Sequence, residues 1–155
     1  GSFAGVVATL VFLYLSATTL IFGAEINERI HANRQLTQDM RRGIAAGEFY
    51  LEFQPRFDAS SQAIRCAEAL VRWQHPELGR VGPDRFIPLA ERNGMIVALG
   101  DWVMSRVCET AARWARSGVH QRIAINISTR ELAQADFFLR LRHAADQINH
   151  ALLRR

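Results

Sequence analysis

From Tyr50 onward the hydrophobic period of this chain switches repeatedly between strand-like and helix-like spacing, and that alternation restricts the fold more than any other feature. Leu51, Phe53 and Pro55 alternate with Glu52 and Gln54, which predicts a strand. Residues 58–62 supply turn formers, and residues 64–73 make a second strand-like run. Pro76, Gly79, Gly82 and Pro83 predict a loop, after which Pro83-Asp84 opens a helix that ends near Asn93-Gly94. Residues 96–117 place Ile96, Leu99, Val103, Val107 and Ala111 on one face of a long helix, and Gly118 stops it. Residues 122–128 read as a third strand, apolar at Ile123, Ala124, Ile125 and Ile127. Ser128 or Thr129 then caps a last helix beginning at Arg130-Glu131. About three strands interleaved with about four helices predict an α/β fold built on a parallel sheet or barrel. A (β/α)8 barrel takes about 250 residues. A chain of 155 residues would hold it only in part.

The first stretch has a different character. No charged residue occurs in residues 1–24, and residues 3–22 are almost wholly apolar. A helix of about 20 residues rises roughly 30 Å, the thickness of a bilayer core. Small residues at Gly5, Ala8, Ser16 and Ala17 suit close helix packing in lipid. The stretch lacks the basic start and small-residue cleavage site of a signal peptide. A fully buried helix in a soluble protein is the other reading. Charge begins abruptly at Glu25, and Ile30, Leu36, Met40 and Ile44 recur at helical spacing up to a stop at Gly47. The expected organisation is a transmembrane helix over residues 1–26, a linker helix over 27–35 and an α/β domain over 36–155.

Composition removes several function classes. A net charge of +4 is too small for a nucleic-acid footprint. Every side-chain cation other than histidine is Arg, so a mechanism that needs a lysine is excluded from this chain. Cys66 and Cys108 lie in no CxxC or Cys/His pairing, so they read as buried thiols in a reducing compartment.

An ordered series of motifs then narrows the possibilities. Gln54-Pro55-Arg56-Phe57-Asp58 precedes Glu68-Ala69-Leu70-Val71-Arg72-Trp73. His75-Pro76-Glu77, Gly79, Val81, Pro83, Phe86-Ile87-Pro88-Leu89-Ala90-Glu91 and Gly94 follow, with Asn126-Ile127-Ser128 at the end of the third strand. Glu68 is a charge inside a largely apolar strand, where a carboxylate needs a cation or a hydrogen-bond partner. The series resembles the EAL domain, a bacterial hydrolase of cyclic-di-GMP. The resemblance implies a TIM-type barrel, here incomplete, with Glu68 and Asn126 as ligands of Mg2+ or Mn2+. It implies Arg72 as a holder of a substrate phosphate, and Gln54 and Leu70 beside the substrate. The implied chemistry is metal-dependent opening of one phosphodiester bond to linear pGpG. For each of these residues a structural role competes: an ion pair of Glu68 with Arg65 or Arg72, a salt bridge for Arg72, backbone contacts for Gln54 and a helix cap near Asn126.

Residues 1–33 are separately similar to the last transmembrane helix of the YihY/BrkB inner-membrane family. That resemblance implies a bacterial inner-membrane location, with the EAL part in the cytoplasm. Beyond Asp136-Phe137 the EAL resemblance fades. The family's Glu-x-Thr-Glu strand, Asp-Asp pair, Lys and later Glu and Gln have no counterpart in the sequence. The expectation is therefore a truncated domain that does not turn over cyclic-di-GMP and is poorly ordered unless it forms a homodimer. A degenerate module that binds cyclic-di-GMP or a protein partner, and a non-functional fusion product, are the other readings.

Overall fold

The computed structural model describes residues 3–153. The elements are α1 (Phe3–Ala46), β1 (Phe49–Phe57), β2 (Ile64–His75), β3 (Gly79–Val81), α2 (Pro83–Asn93), α3 (Ile96–Arg116), β4 (Ile123–Ile125), α4 (Thr129–Leu132) and α5 (Phe137–Leu153). The chain divides into two compact units, Gly1–Gln38 and Asp39–Arg155.

The first unit is helical. Thr18 and Thr19 donate their hydroxyls to the carbonyls of Tyr14 and Leu15, at 2.7 and 2.8 Å. These local bonds let hydroxyl side chains sit inside a helix without an unpaired donor. Phe12, Tyr14, Leu20, Ile21 and Phe22 are all exposed. The expected transmembrane helix over residues 1–26 does not emerge: among the described residues no helix is long and apolar enough to cross a membrane. Gly1 and Ser2, part of the inner-membrane resemblance, lie outside the described residues.

In the second unit α1 ends where the sequence predicts. Gly47 adopts a left-handed φ of 76°, and the Glu48 N–H returns to the Gly43 carbonyl at 3.0 Å, closing the last turn. The chain then runs into a hairpin. Asp58 Oδ1 accepts the Ser60 and Ser61 N–H groups at 3.0 Å each, and the Asp58 N–H reaches the Ala63 carbonyl at 2.9 Å. A tight turn of this kind forces β1 and β2 to run antiparallel, from Phe49 opposite Trp73 to Phe57 opposite Ile64. This corrects the expectation of a purely parallel sheet: a short polar turn cannot carry the long crossover that parallel neighbours need. The true crossover is α2–α3, and it brings β4 parallel to β2, with Ala67, Glu68 and Ala69 opposite Ile123, Ala124 and Ile125. The expected loop at Gly79 also holds the short strand β3, antiparallel to the end of β2. The predicted last helix is two, α4 and α5.

β1 has β2 as its one neighbour among the described residues. Pro55 sits in it without cost to the ladder. The Glu48 carbonyl and the Asp58 N–H both address β2, so by alternation the Pro55 nitrogen faces the free edge.

One face of the sheet is covered. Ala69, Val103 and Val107 form a buried cluster, with Leu51, Phe53, Val71, Trp102, Ile123 and Ile125 packed against it. At the end of β2 an aromatic group closes the core. Trp73, wholly buried, stacks on Phe49 at 5.0 Å between ring centroids and meets Phe86 edge-on at 5.9 Å. Its indole N–H donates to Glu48 Oε2 at 2.9 Å. Behind it, buried His75 accepts the Glu77 and Leu78 N–H groups on Nδ1 at 3.1 Å, which directs its other nitrogen to Asp39 Oδ2 at 3.4 Å. Both cysteines are free thiols. Cys108 is buried and its Sγ faces the Ala144 carbonyl at 3.2 Å, whereas Cys66 is half-buried.

Candidate functional site

The hairpin register decides which side chains share a surface. Gln54 lies opposite Glu68, Glu52 opposite Leu70 and Tyr50 opposite Arg72. Side chains alternate between faces along a strand, so Gln54, Glu68, Leu70 and Arg72 stand together on the face turned away from α3. β4 extends that surface, because Ala124 lies opposite Glu68 and Asn126 follows two residues later. The five residues singled out from the sequence therefore converge, although they come from β1, β2 and the connection that follows β4.

Their contacts are specific. Asn126 Nδ2 donates to Glu68 Oε1 at 2.9 Å. Arg56 Nε approaches Glu68 Oε2 at 3.6 Å, while the Glu68 side chain stays 21% exposed. The ion-pair partner of Glu68 is thus Arg56, and neither Arg65 nor Arg72. Arg65 instead approaches Asp58 Oδ2 at 3.9 Å. Arg72 Nε donates to Glu52 Oε2 at 2.6 Å, and Arg80 reaches the other Glu52 oxygen at 3.2 Å. The Arg72 hydrogen bond, with both guanidinium charges nearby, holds the Glu52 carboxyl below its ordinary range.

Arg72 and Asn126 also line a cavity of about 350 Å³ with Leu70, Ile87, Glu91 and Glu131. It lies where β2 is flanked by neither β3 nor β4, beside residues 70–72. Its lining combines the Arg72 guanidinium, the Asn126 amide and the Glu91 and Glu131 carboxylates with apolar groups of Leu70 and Ile87.

Glu68 and Asn126 supply hard oxygen donors of the kind Mg2+ or Mn2+ takes, provided the Asn126 amide turns its Oδ1 inward. These two residues make up only part of a divalent-cation ligand set. Among the described residues no three His, Cys, Asp or Glu side chains gather into a metal-binding group.

Two charged partners escaped the sequence reading: Glu52, which fixes Arg72, and Arg56, which offsets Glu68. The available signal was parity. Both share the face of Gln54 on β1, and a polar face opposite a strand glutamate and arginine is a place to expect their counter-charges.

The sequence profile of the EAL domain matches residues 37–153. An uncharacterized signaling protein of Caulobacter vibrioides is 44% identical over 72% of this chain and 13% of its own length. The cyclic di-GMP phosphodiesterase PdeR of Escherichia coli is 36% identical over 83% of this chain and 19% of its own. The chain thus spans less than a fifth of these curated relatives. Among solved structures, a PaMucR phosphodiesterase in complex with c-di-GMP superposes with a TM-score of 0.71 at 34% identity, covering 74% of this chain and 47% of that one.

Proposed function

The chain belongs to the EAL domain family, and on that footing we propose that it forms the first part of a cyclic-di-GMP phosphodiesterase domain, a (β/α)8 barrel in its full form. The observation that carries this reading is the convergence of Gln54, Glu68, Leu70, Arg72 and Asn126 on one sheet face, with Asn126 bonded to Glu68. Arg72 binds a phosphate of the dinucleotide through the guanidinium edge that Glu52 leaves free. Gln54 and Leu70 contact the ligand beside it. Glu68 and Asn126 contribute oxygen donors toward a divalent cation that supplies Lewis-acid chemistry when a full ligand set is present. The described residues do not bring that set together, and the expected behaviour of the chain by itself is recognition of the dinucleotide without hydrolysis.

Titration of the chain with cyclic-di-GMP by calorimetry tests the proposal. Saturable binding, weakened at least about tenfold by Arg72→Ala, is expected for a lost charge-assisted phosphate contact. Binding untouched by that substitution would remove Arg72 from the site, and steady release of pGpG with Mn2+ would contradict the incomplete metal set.

An inner-membrane location with the EAL part in the cytoplasm is part of the same proposal. The uncharged stretch before Glu25, its exposed Phe12, Leu20, Ile21 and Phe22, and the arginines at 29, 34, 41 and 42 support it. Membrane fractionation decides: a chain recovered wholly in the soluble fraction ends this part of the reading.

A further inference from the structure

Asn126 stands in a three-residue connection between β4 and α4, and its own side chain is exposed. Something must fix that connection if the amide is to meet Glu68. The fixing group is Glu131. Its Oε2 accepts the Ser128 N–H at 2.9 Å, while its own N–H donates to Ser128 Oγ at 3.2 Å, a reciprocal cap across the first turn of α4. Most caps of this type lie in solvent, but Glu131 is only 6% exposed and lines the same cavity as Arg72 and Asn126. Its second oxygen lies against α3 at Gly100, where a Cβ would overlap Glu131 Oε1.

Gly100 has no backbone reason to be glycine. It lies inside a 21-residue helix and has no positive φ. Glycine inside a helix is less favourable than alanine. The space it leaves is the space the Glu131 carboxylate occupies.

Resting on the reading of Asn126 as a donor at the site, we propose that Glu131, seated in the notch at Gly100, is a positioning residue that sets Asn126 against Glu68. It acts through Ser128, its two oxygens being engaged by the Ser128 N–H and the notch at Gly100. α3 thereby couples to the site by steric fit, with no charge pair required.

The test uses the side-chain amide NMR signals of Asn126 in the whole chain, assigned by their loss in Asn126→Ser. In Glu131→Ala the two amide protons should move toward the shifts of a solvent-exposed asparagine, and cyclic-di-GMP affinity should fall about tenfold, as when a supporting partner is lost. Glu131→Gln keeps an acceptor for Ser128 and should leave both readouts near wild type. Gly100→Ala should displace Glu131 and reproduce the Glu131→Ala shifts in a chain that still folds, since alanine favours the helix. Unchanged Asn126 signals in Gly100→Ala would overturn the proposal, even if Glu131→Ala failed to fold. Displaced Asn126 signals in a wild-type background that binds no cyclic-di-GMP would uphold the positioning role and sink the ligand assignment instead.

Discussion

Replacing Trp73 by phenylalanine probes the joint between the α1 terminus and the sheet. The indole is fully buried, stacked on Phe49, and its N–H is held by Glu48 Oε2 at 2.9 Å. Phenylalanine keeps the stacking and removes two things. A hydrogen bond to a charged acceptor contributes about 1.5–3 kcal/mol, and the lower end applies because Glu48 is half-exposed and can rehydrate. The second loss is the space of the fused ring, of order 1 kcal/mol at about 24 cal/mol per Å³ of void. The sum is about 2.5 kcal/mol. With a urea dependence of about 2 kcal/mol per molar, the unfolding midpoint should fall by roughly 1.2 M without a change in slope. Far-UV circular dichroism against urea reads this directly. Glu48→Gln in the same background separates the parts: added to Trp73→Phe it should cost little more, because the bond it would weaken is already gone. A midpoint shift below about 0.3 M for Trp73→Phe would falsify the claim that this packing and hydrogen bond anchor the domain.

Three further outcomes follow from the geometry. The Ser60 hydroxyl, with the Ser61 and Ser60 N–H groups, holds the Asp58 carboxyl down to about 2. Because that value is depressed in the fold, the turn's contribution is present above the ordinary 3.8 and is lost as pH falls through about 2; Asp58→Ala should match wild-type stability at the acid end and lie below it at neutral pH. Gly118→Ala should cost about 1–2 kcal/mol in thermal unfolding, since φ is 78° there and nothing lies near the added methyl, so the whole penalty is backbone. Asn126→Asp puts a second carboxylate beside Glu68 and should strengthen Mn2+ binding, measured by loss of the free-ion resonance signal; an unchanged Mn2+ affinity would separate the two residues from cation chemistry.

The periodicity of the strands and of α3 was legible, because one-sided burial imposes it. So were the stops at Gly47, Gly94 and Gly118, which all adopt left-handed φ. Ser128 as the cap of the next helix was equally visible. The five candidate residues were nameable because their motifs stand in series, and the pairing of β2 with β1 and β4 is what gathers them on one surface. Strand direction was misjudged at β1, where a turn signal at residues 58–62 should have outweighed the expectation of parallel neighbours. The partners of Glu52 and Arg56 were not legible, since period-two reasoning labels a polar face without saying what it opposes. Gly100 could not be read at all. Its meaning lies in a contact with Glu131, 31 positions later, that only the packing of α4 on α3 creates.

Pro55 gives the sheet a direction of growth. In the language of polymers, the β1 margin is a terminated end: a strand arriving there meets a position that cannot donate, two residues before the end of β1. The β4 margin carries no such stop, and its three residues present ordinary backbone groups. A further strand can thus pair along β4 with a full set of backbone donors, whereas one arriving at β1 would lack the Pro55 donor.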